Sequence, residues 1–315
     1  MAMNFGAQLW SQQTTWQQFR DTALRAENVG WDSVWTWDHL MAIFGPWEQP
    51  IFEGWMTLAA VAALSKRLRL GLMVGANTFR EPGLTAKLAT TLDHVSDGRA
   101  VLGIGGAWFE REHKAFGFEA WGSGVGERLD RLDESVGIIR RLLDGERFSH
   151  EGTYYRLEDA LNNPPPVQQH LPILIGGSGP KKTLRTTAKY ADAWNTSGTI
   201  EECRGRLEIL RGHGVDVGRD VGKIELTVSF PIIVRDDTAE AEATYARILA
   251  NNGAADMGNV PVLLGSPAYV ADAIAHYAEL GFETVIVRLA APYDLQTIDR
   301  MPEVAERLAG VGARG

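Results

Sequence analysis

The sequence has almost no cysteine and no long apolar segment. Its single cysteine, Cys203, excludes a disulfide framework or a cysteine-based metal site within one chain, which is typical of the reducing cytoplasm. No apolar run approaches the ~18 to 20 residues that a membrane span needs. The first ten residues also lack the basic start and apolar core of a signal peptide. We therefore expect a cytoplasmic protein with no membrane partner.

Basic residues do not outnumber acidic ones. The 315 residues include 31 Lys and Arg against 40 Asp and Glu, which gives a formal net charge of -9. Nucleic acids and anionic membranes both require a basic footprint on the protein that binds them. No nucleic-acid partner is therefore expected.

Several catalytic motifs are missing as well. The seven histidines show no HExxH or other ligand spacing, so no metal site is expected. The segment 176–183 lacks the last glycine of a nucleophile elbow, and Pro180 replaces the glycine that precedes the lysine of a Walker loop. The segment 103–108 begins like a dinucleotide fingerprint but ends in Trp108. These patterns argue against a serine hydrolase, an NTPase and a Rossmann enzyme.

What the sequence does contain is a regular alternation of short apolar runs and longer helical patterns, which is typical of parallel βα units. A barrel takes about 250 residues, and doubly wound sheets usually have fewer strands than eight. We therefore predict an α/β fold, a TIM (β/α)8 barrel, as a single domain over 1–315. Its insertions are expected at about 40–55, 108–125, 147–170 and 250–262. The eight predicted strands are 4–10, 33–39, 68–76, 100–107, 172–175, 193–196, 223–234 and 284–289.

Barrel enzymes build their active sites at the carboxyl ends of the strands, and here four of these ends are polar or rich in glycine. His39, at the end of the second strand, could exchange a proton near neutral pH or hydrogen-bond to a cofactor ring. A histidine packed beneath the tryptophan-rich loop is the alternative. Asp38, its neighbour, could fix the imidazole or cap the loop.

Small residues end the third and fourth strands. Gly75, Ala76 and Asn77 would let a planar ring system lie against the backbone, although a plain strand-to-helix turn is the competing interpretation. Gly106 and Ala107 end a glycine-rich strand. Glycine inside a strand indicates close approach of a ligand or, alternatively, tight barrel packing.

The fifth strand ends in a glycine-rich turn that leads into a helix. Its free N–H groups, the helix N-terminus and the lysines that follow together predict a phosphate site, with an ordinary turn and solvated lysines as the alternative. The residues of this site would be Gly176, Gly177, Ser178, Gly179 and Lys182. A phosphate site beside an apolar, glycine-lined slot predicts a phosphorylated planar cofactor.

Taken in order, these segments resemble the luciferase-like superfamily of flavin and deazaflavin enzymes, and most closely its coenzyme F420-dependent branch. The resemblance covers essentially the whole chain. It implies a barrel with insertions and an oxidoreductase that transfers a hydride to or from a small organic substrate, with F420 or alternatively FMN as the cofactor. An FMN-dependent monooxygenase and a non-enzymatic flavin-binding protein are the alternatives, and a homodimer is an expectation. The segments that carry the resemblance are 35–39, 71–80, 93–99, 103–109, 172–179 and 190–195.

The resemblance also implies roles for individual residues. His39 would lie near the reactive carbon of the ring as a catalytic residue, and Trp47 would match a tryptophan of the active-site loop. A non-prolyl cis peptide is implied at about Met73–Val74. The implied cofactor-binding residues are His39, Met73, Val74, Gly75, Ala76, Asn77, Gly106, Ala107, Gly176, Gly177, Ser178, Gly179 and Lys182.

At one position the sequence departs from that branch. Its sugar-phosphate and alcohol dehydrogenases have a glutamate after the glycines of the fourth strand, and this chain has Trp108 there. Alcohol oxidation by a histidine and glutamate pair is therefore in doubt. Glu110 and Glu112 are nearby candidate acids, but we expect both on the surface of the following loop.

Overall fold

The computed structural model describes residues 3–312, in which strands and helices alternate along the chain. The strands are β1 (Asn4–Leu9), β2 (Ser33–Thr36), β3 (Arg69–Leu72), β4 (Gly75–Ala76), β5 (Ala100–Gly105), β6 (Phe148–Glu151), β7 (Arg156–Ala160), β8 (Ile173–Gly176), β9 (Ala193–Thr196), β10 (Glu225–Phe230), β11 (Ile232–Val234), β12 (Leu263–Gly265) and β13 (Thr284–Leu289). The helices are α1 (Trp16–Asn28), α2 (Gly54–Leu64), α3 (Pro82–Val95), α4 (Glu110–Phe116), α5 (Val125–Leu143), α6 (Thr183–Tyr190), α7 (Ile200–Val217), α8 (Thr238–Asn252), α9 (Pro267–Glu279) and α10 (Leu295–Gly312).

Helix starts follow local capping signals. The Thr15 side chain accepts a hydrogen bond from the backbone N–H of Gln18, and the Gln18 side chain accepts one from the N–H of Thr15, which completes a capping box at α1. The Ser266 side chain caps α9, whose first residue is Pro267. These caps satisfy N–H groups that have no partner inside the helix.

Contacts within the chain form two compact units. In the first unit β1 lies between β2 and β13, and β10 lies on the other side of β13, with these strands parallel. Residue Ala7 of β1 pairs with Val34 of β2 and with Val287 of β13. This unit consists of the described residues of Met1–Glu53, Asn195–Gly205 and Glu225–Gly315.

The second unit is built around β5. Parallel strands β3 and β4 pair with one side of β5, and β8 pairs with the other. All residues of β5 are buried, which is typical of a parallel strand covered on both faces. This unit consists of Gly54–Trp194 and Arg206–Ile224.

The predicted fold class, an α/β TIM barrel with eight parallel strands and surrounding helices, is confirmed. Two predicted strands are interrupted. The strand predicted at 68–76 is divided into β3 and β4 at Met73 and Val74. The strand predicted at 223–234 is divided at Pro231, which has no N–H for a ladder bond, and β11 beyond it pairs with β12.

Strand β2 is shorter than predicted, and this changes the position of three candidate residues. Strand β2 ends at Thr36, earlier than predicted, so Trp37, Asp38 and His39 follow the strand. Within the segment 147–170, strands β6 and β7 form a two-stranded antiparallel sheet. None of the helices in the described part of the chain combines the length and the apolar character needed to cross a bilayer.

One half-buried arginine, Arg99, ties together the ends of α2 and α3 in the second unit. The Arg99 guanidinium donates hydrogen bonds to the carbonyl oxygens of Ala62, Ser65 and Leu68 at 2.7 to 3.0 Å, and its Nε donates to the carbonyl of Ser96 at 2.6 Å. The carbonyls at a helix end have no partner within the helix, and a cation there also complements the helix dipole. Arg99 therefore fixes the loop that leads from α2 into β3.

Replacing Arg99 by alanine should lower the free energy of unfolding by about 2–4 kcal/mol, because several buried carbonyls would lose a charged donor together. Urea unfolding followed by circular dichroism measures this change. The control is Arg185→Ala on α6, an exposed arginine whose removal should change stability by about 0.5 kcal/mol or less. Equal stability of the two variants would contradict the role given to Arg99.

Candidate active site

In the first unit, the segments after β1 and β2 form an aromatic cluster. The rings of Trp10 and Trp37 lie 4.6 Å apart between centroids, and Phe44 stacks on Trp10 at 4.6 Å. The Trp37 indole N–H donates to the Ser11 hydroxyl at 3.0 Å, which fixes the orientation of that ring. His39 is half-buried and meets Trp37 edge-on, with 5.9 Å between ring centroids. The cluster therefore gives His39 one rigid apolar wall.

The loop at 40–55 is held by amide side chains. The Gln12 side chain donates to the carbonyl of Phe44 at 2.7 Å and to the side-chain oxygen of Gln49 at 2.6 Å. Gln49 in turn donates to the carbonyl of Asn252 at 2.9 Å. The Trp47 side chain of this loop is 41% exposed. The loop is thus fixed at its base, while Trp47 presents much of its ring to solvent.

In the second unit, the peptide bond between Met73 and Val74 is cis, so the implication of the resemblance is confirmed. The Val74 side chain lies against two glycines of neighbouring strands. A Cβ atom at Gly105 or at Gly176 would lie 2.8 Å from a Val74 methyl group. One at Gly103 would collide with the carbonyl oxygen of Leu72. Close packing of β3, β5 and β8 therefore requires glycine at all three positions.

The two residues after β5 have constrained surroundings. A Cβ atom at Gly106 would lie 2.7 Å from Cδ2 of Leu129, so the α5 side chain covers this residue closely. Ala107 has a φ of 59°, in the left-handed region that residues other than glycine rarely occupy. Such backbone conformations cluster at functional sites, which supports the choice of Ala107 as a site residue.

The glycine-rich turn after β8 keeps free backbone donors. No acceptor for the N–H groups of Ser178 and Gly179 lies in residues 3–312. The Trp194 indole N–H donates to the carbonyl of Gly177 at 2.8 Å, and Gly177 has a φ of 120°, which suits glycine. The turn thus has a fixed shape and leads directly into α6, where further N–H groups lack helical partners.

The lysine predicted for this site has acidic and carbonyl partners. Nζ of Lys182 lies 2.7 Å from a carboxylate oxygen of Asp130 and donates to the carbonyl of Gly126 at 3.0 Å. Its charge is therefore balanced within the protein. The N–H groups of Ser178 and Gly179 are backbone donors that remain available at the turn.

A polar and aromatic cluster in the second unit was not foreseen from the sequence. His113 is buried and its Nδ1 lies 3.1 Å from the carbonyl of Phe109, to which it donates, so Nε2 can accept from the Thr78 hydroxyl at 2.6 Å. Its ring lies 4.6 Å from Trp121 and 4.9 Å from Phe79 between centroids. A single buried histidine on a short helix gives no sequence signal.

One expectation about the candidate acids is wrong. Glu112 is 1% exposed on α4, where a surface position in a loop was expected, because the segment is helical and turns this residue inward together with His113. Glu110 is exposed, as expected, and forms an ion pair with Lys114 at 2.9 Å. The Trp108 side chain is also exposed and packs against Phe109.

A second missed residue is Arg128 on α5. Its side chain is 7% exposed, and its guanidinium carbon lies 3.7 Å from the centroid of the Trp121 ring. Its Nε has no hydrogen-bond partner in the described part of the chain. Burial lowers the pKa of Arg128, and the carboxylate of Glu110 acts in the opposite sense. Arg128 is therefore a buried cation that packs on the Trp121 ring and forms no ion pair with a carboxylate of the described residues.

Asn77, which the sequence placed near the cofactor, donates from its side chain to the Tyr155 hydroxyl at 3.1 Å, and both side chains are buried. Burial raises the pKa of Tyr155, which keeps its hydroxyl protonated. Within residues 3–312 no group of three or more His, Cys, Asp and Glu side chains is arranged to bind a metal ion.

The chain belongs to the luciferase-like monooxygenase family, whose model matches residues 1–284. It is 30% identical to an uncharacterized protein of Mycobacterium tuberculosis over 72% of this chain and 74% of that protein. It is 34% identical to the phthiodiolone/phenolphthiodiolone dimycocerosates ketoreductase of the same organism, over 70% of this chain and 63% of the ketoreductase. The family is one of oxidoreductases and monooxygenases, and the chain is an enzyme of that class.

Solved structures share the fold at low sequence identity. An F420-dependent secondary alcohol dehydrogenase in complex with an F420–acetone adduct has a TM-score of 0.81 at 20% identity, over 96% of this chain and 99% of that one. The coenzyme F420-dependent tetrahydromethanopterin reductase of Methanopyrus kandleri has a TM-score of 0.79 at 18% identity, over 98% and 100%. A riboflavin lyase with modified FMN has a TM-score of 0.83 at 18% identity, over 99% and 92%.

Gly176→Ala tests whether the strand-end glycines serve packing. The new Cβ would press on the Val74 methyl groups, so we expect a loss of about 1–3 kcal/mol of stability. Adding Val74→Ala should restore part of this loss. Gly83→Ala on the first turn of α3 is the control, because no atom lies within 4 Å of its Cβ position. Urea unfolding measures the free energy of unfolding of each variant. A Gly176→Ala protein as stable as the parent protein would contradict the packing role.

Proposed function

We propose that the protein is a coenzyme F420-dependent oxidoreductase that transfers a hydride to or from a small organic substrate, with a carbonyl group as the favoured acceptor. The observation that carries this proposal is the glycine-rich turn after β8, whose Ser178 and Gly179 N–H groups have no acceptor in the described residues. Backbone N–H groups at a helix N-terminus form a natural phosphate site.

The charge of the turn supports a deazaflavin over FMN. The phosphate of F420 is a diester with a single negative charge, whereas the FMN phosphate is a monoester, and such groups carry about -1.5 to -2 at pH 7. Because Asp130 balances Lys182, the turn offers mainly neutral N–H donors. Neutral N–H donors suit the less charged phosphate of a diester better than a doubly charged monoester.

The residues around the turn fit the rest of such a cofactor. Val74 and the small residues Gly75 and Ala76 would support the ring, and Gly106 and Ala107 would flank it. Asn77 is already fixed by Tyr155, so its position is set in advance. When bound, a deazaflavin donates or accepts a hydride at one ring carbon, and the protein supplies orientation and proton transfer.

The relatives support the same chemistry. A curated relative with 34% identity is named a ketoreductase, and two of the similar structures are F420-dependent enzymes, one of them holding an adduct with acetone. A ketone that accepts a hydride also needs a proton on its oxygen. His39 is the residue that we propose for this proton, because it follows β2 and is held edge-on by Trp37. Trp47 would cover the reacting groups.

Titration with F420 and with FMN, followed by cofactor fluorescence, tests the cofactor. We expect F420 to bind at least about tenfold more tightly than FMN, a difference of about 1.4 kcal/mol. As a control on the assigned site, Ser178→Pro removes one N–H and should weaken F420 binding, whereas Thr199→Pro, before α7, should not. Tight binding of FMN alone would show that the cofactor is a flavin and favour the monooxygenase alternative.

Replacing His39 by alanine should lower turnover at least about 100-fold with little change in F420 affinity, because general acid–base catalysis typically contributes this much. The matched control is His276→Ala on α9, an exposed histidine paired with Glu279. Steady-state assays of deazaflavin oxidation on a panel of ketones measure the effect. Full activity of the His39 variant would remove this residue from the proton-transfer step.

A further inference from the structure

Arg288 lies in β13, in the first unit, one residue before the carboxyl end of the strand, and its side chain is half-buried. Its Nη1 donates to the backbone carbonyl of Met257 at 2.9 Å, and its Nη2 donates to the Ser229 hydroxyl at 3.2 Å. Both acceptors are neutral. A guanidinium has five N–H donors, so most of its hydrogen-bonding capacity is left over.

No carboxylate in the described residues forms an ion pair with Arg288. Buried charges in proteins are normally paired, because removing a charge from water is costly. Arg235, a buried arginine of the same unit, has such a partner. Arg235 forms two hydrogen bonds with the carboxylate of Asp294, at 2.7 and 3.0 Å, and a third with Glu240. The absence of such a partner distinguishes Arg288.

The surroundings hold Arg288 in place without neutralising it. Ser229 of β10 donates to the side-chain oxygen of Asn195 at 3.3 Å, and Asn195 donates to the Thr227 hydroxyl at 2.9 Å. All three side chains are buried, so the chain of hydrogen bonds is shielded from water. It fixes the guanidinium from β9 and β10 and keeps the remaining donors available.

Tyr245, on α8, interacts electrostatically with Arg288. Its hydroxyl is enclosed and interacts with the backbone of Met257, without a hydrogen bond of normal geometry in the described residues. Burial raises the pKa of Tyr245, so the hydroxyl keeps its proton. Burial also lowers the pKa of Arg288 to about 10, which still leaves the side chain cationic at neutral pH. The two side chains offer an anion both charge and a neutral O–H.

We propose that Arg288, with the Tyr245 hydroxyl, binds an anionic group of the substrate, a carboxylate or another oxyanion, near the carboxyl ends of β10 and β13. The substrate of the enzyme would then be an anionic carbonyl compound such as an oxo acid. This inference rests on the proposed function, because it assigns the anion to the substrate of that oxidoreductase. The planar fork of a guanidinium can form paired hydrogen bonds with such a group.

Binding of simple anions to the F420-loaded protein tests the site directly. Acetate and inorganic phosphate are titrated and followed by the NMR line widths of the ligand, with acetamide as the neutral counterpart of acetate. We expect acetate to bind and acetamide not to bind. The substitution Arg288→Gln should lower the affinity for acetate at least tenfold. Tighter binding of phosphate than of acetate would assign the site to a phosphorylated substrate, within the same proposal.

The control variant is Arg204→Gln, an exposed arginine on α7 of the same unit, which should bind acetate as the parent protein does. Tyr245→Phe is the second variant. This variant keeps the ring and removes only the hydroxyl, so it should fold even if Arg288→Gln does not. Its affinity for acetate should be severalfold lower than that of the parent protein. Unchanged acetate binding in Arg288→Gln or, where that variant fails to fold, in Tyr245→Phe would overturn the proposal.

Turnover on oxo acids and on their neutral amides separates this inference from the proposed function. Arg288→Gln should raise KM for the acids, leave the amides unaffected and keep the parent affinity for F420. Anion binding that depends on Arg288 in a protein that fails to bind F420 would contradict the cofactor and leave the anion site intact. Binding of F420, together with acetate binding that is the same in the parent protein and in Arg288→Gln, would support the cofactor and contradict the anion site.

Discussion

The packing of one valine sets the geometry of the second unit. The Val74 side chain occupies the space that a Cβ atom would need at both Gly105 and Gly176. The strand is interrupted at Met73 and Val74, and β4 pairs with β5 from Gly75 opposite Ile104. Because neighbouring strands have no side chain at these two glycines, the valine can fill the space between them.

This constraint explains why glycine is concentrated at two strand ends. From the sequence, glycines at these places had two interpretations, close approach of a ligand and tight packing of the barrel. At Gly103, Gly105 and Gly176 the neighbouring atoms are protein atoms, so packing alone accounts for the residue type. At Gly177 the reason is different, because its φ of 120° is a conformation that suits glycine. A run of glycines can thus combine structural and functional positions.

Much of the fold could be predicted because its signal is local. The strands at 193–196 and 284–289 have the predicted limits, and in the second strand the continuous apolar run 285–287 is a direct local signal. The interruption at Pro231 was missed although proline is visible in the sequence, because apolar residues continue on both sides of it. The predicted surface position of Glu112 was wrong for a related reason. Helix α4 is short, and a segment of that length shows little periodicity.

Four buried or half-buried arginines show most clearly what a single sequence cannot supply. Arg99 is satisfied by carbonyl groups, and Arg235 is satisfied by carboxylates, whereas Arg128 lies on an aromatic ring and Arg288 keeps most of its donors free. The residue type is the same in all four, and only the tertiary surroundings differ. A buried cation that the protein itself does not neutralise remains costly until a ligand with the opposite charge arrives. An anionic ligand that pairs with such a cation would offset this cost and gain binding free energy. Arg128 and Arg288 are therefore functional candidates, and the sequence pattern alone does not identify them.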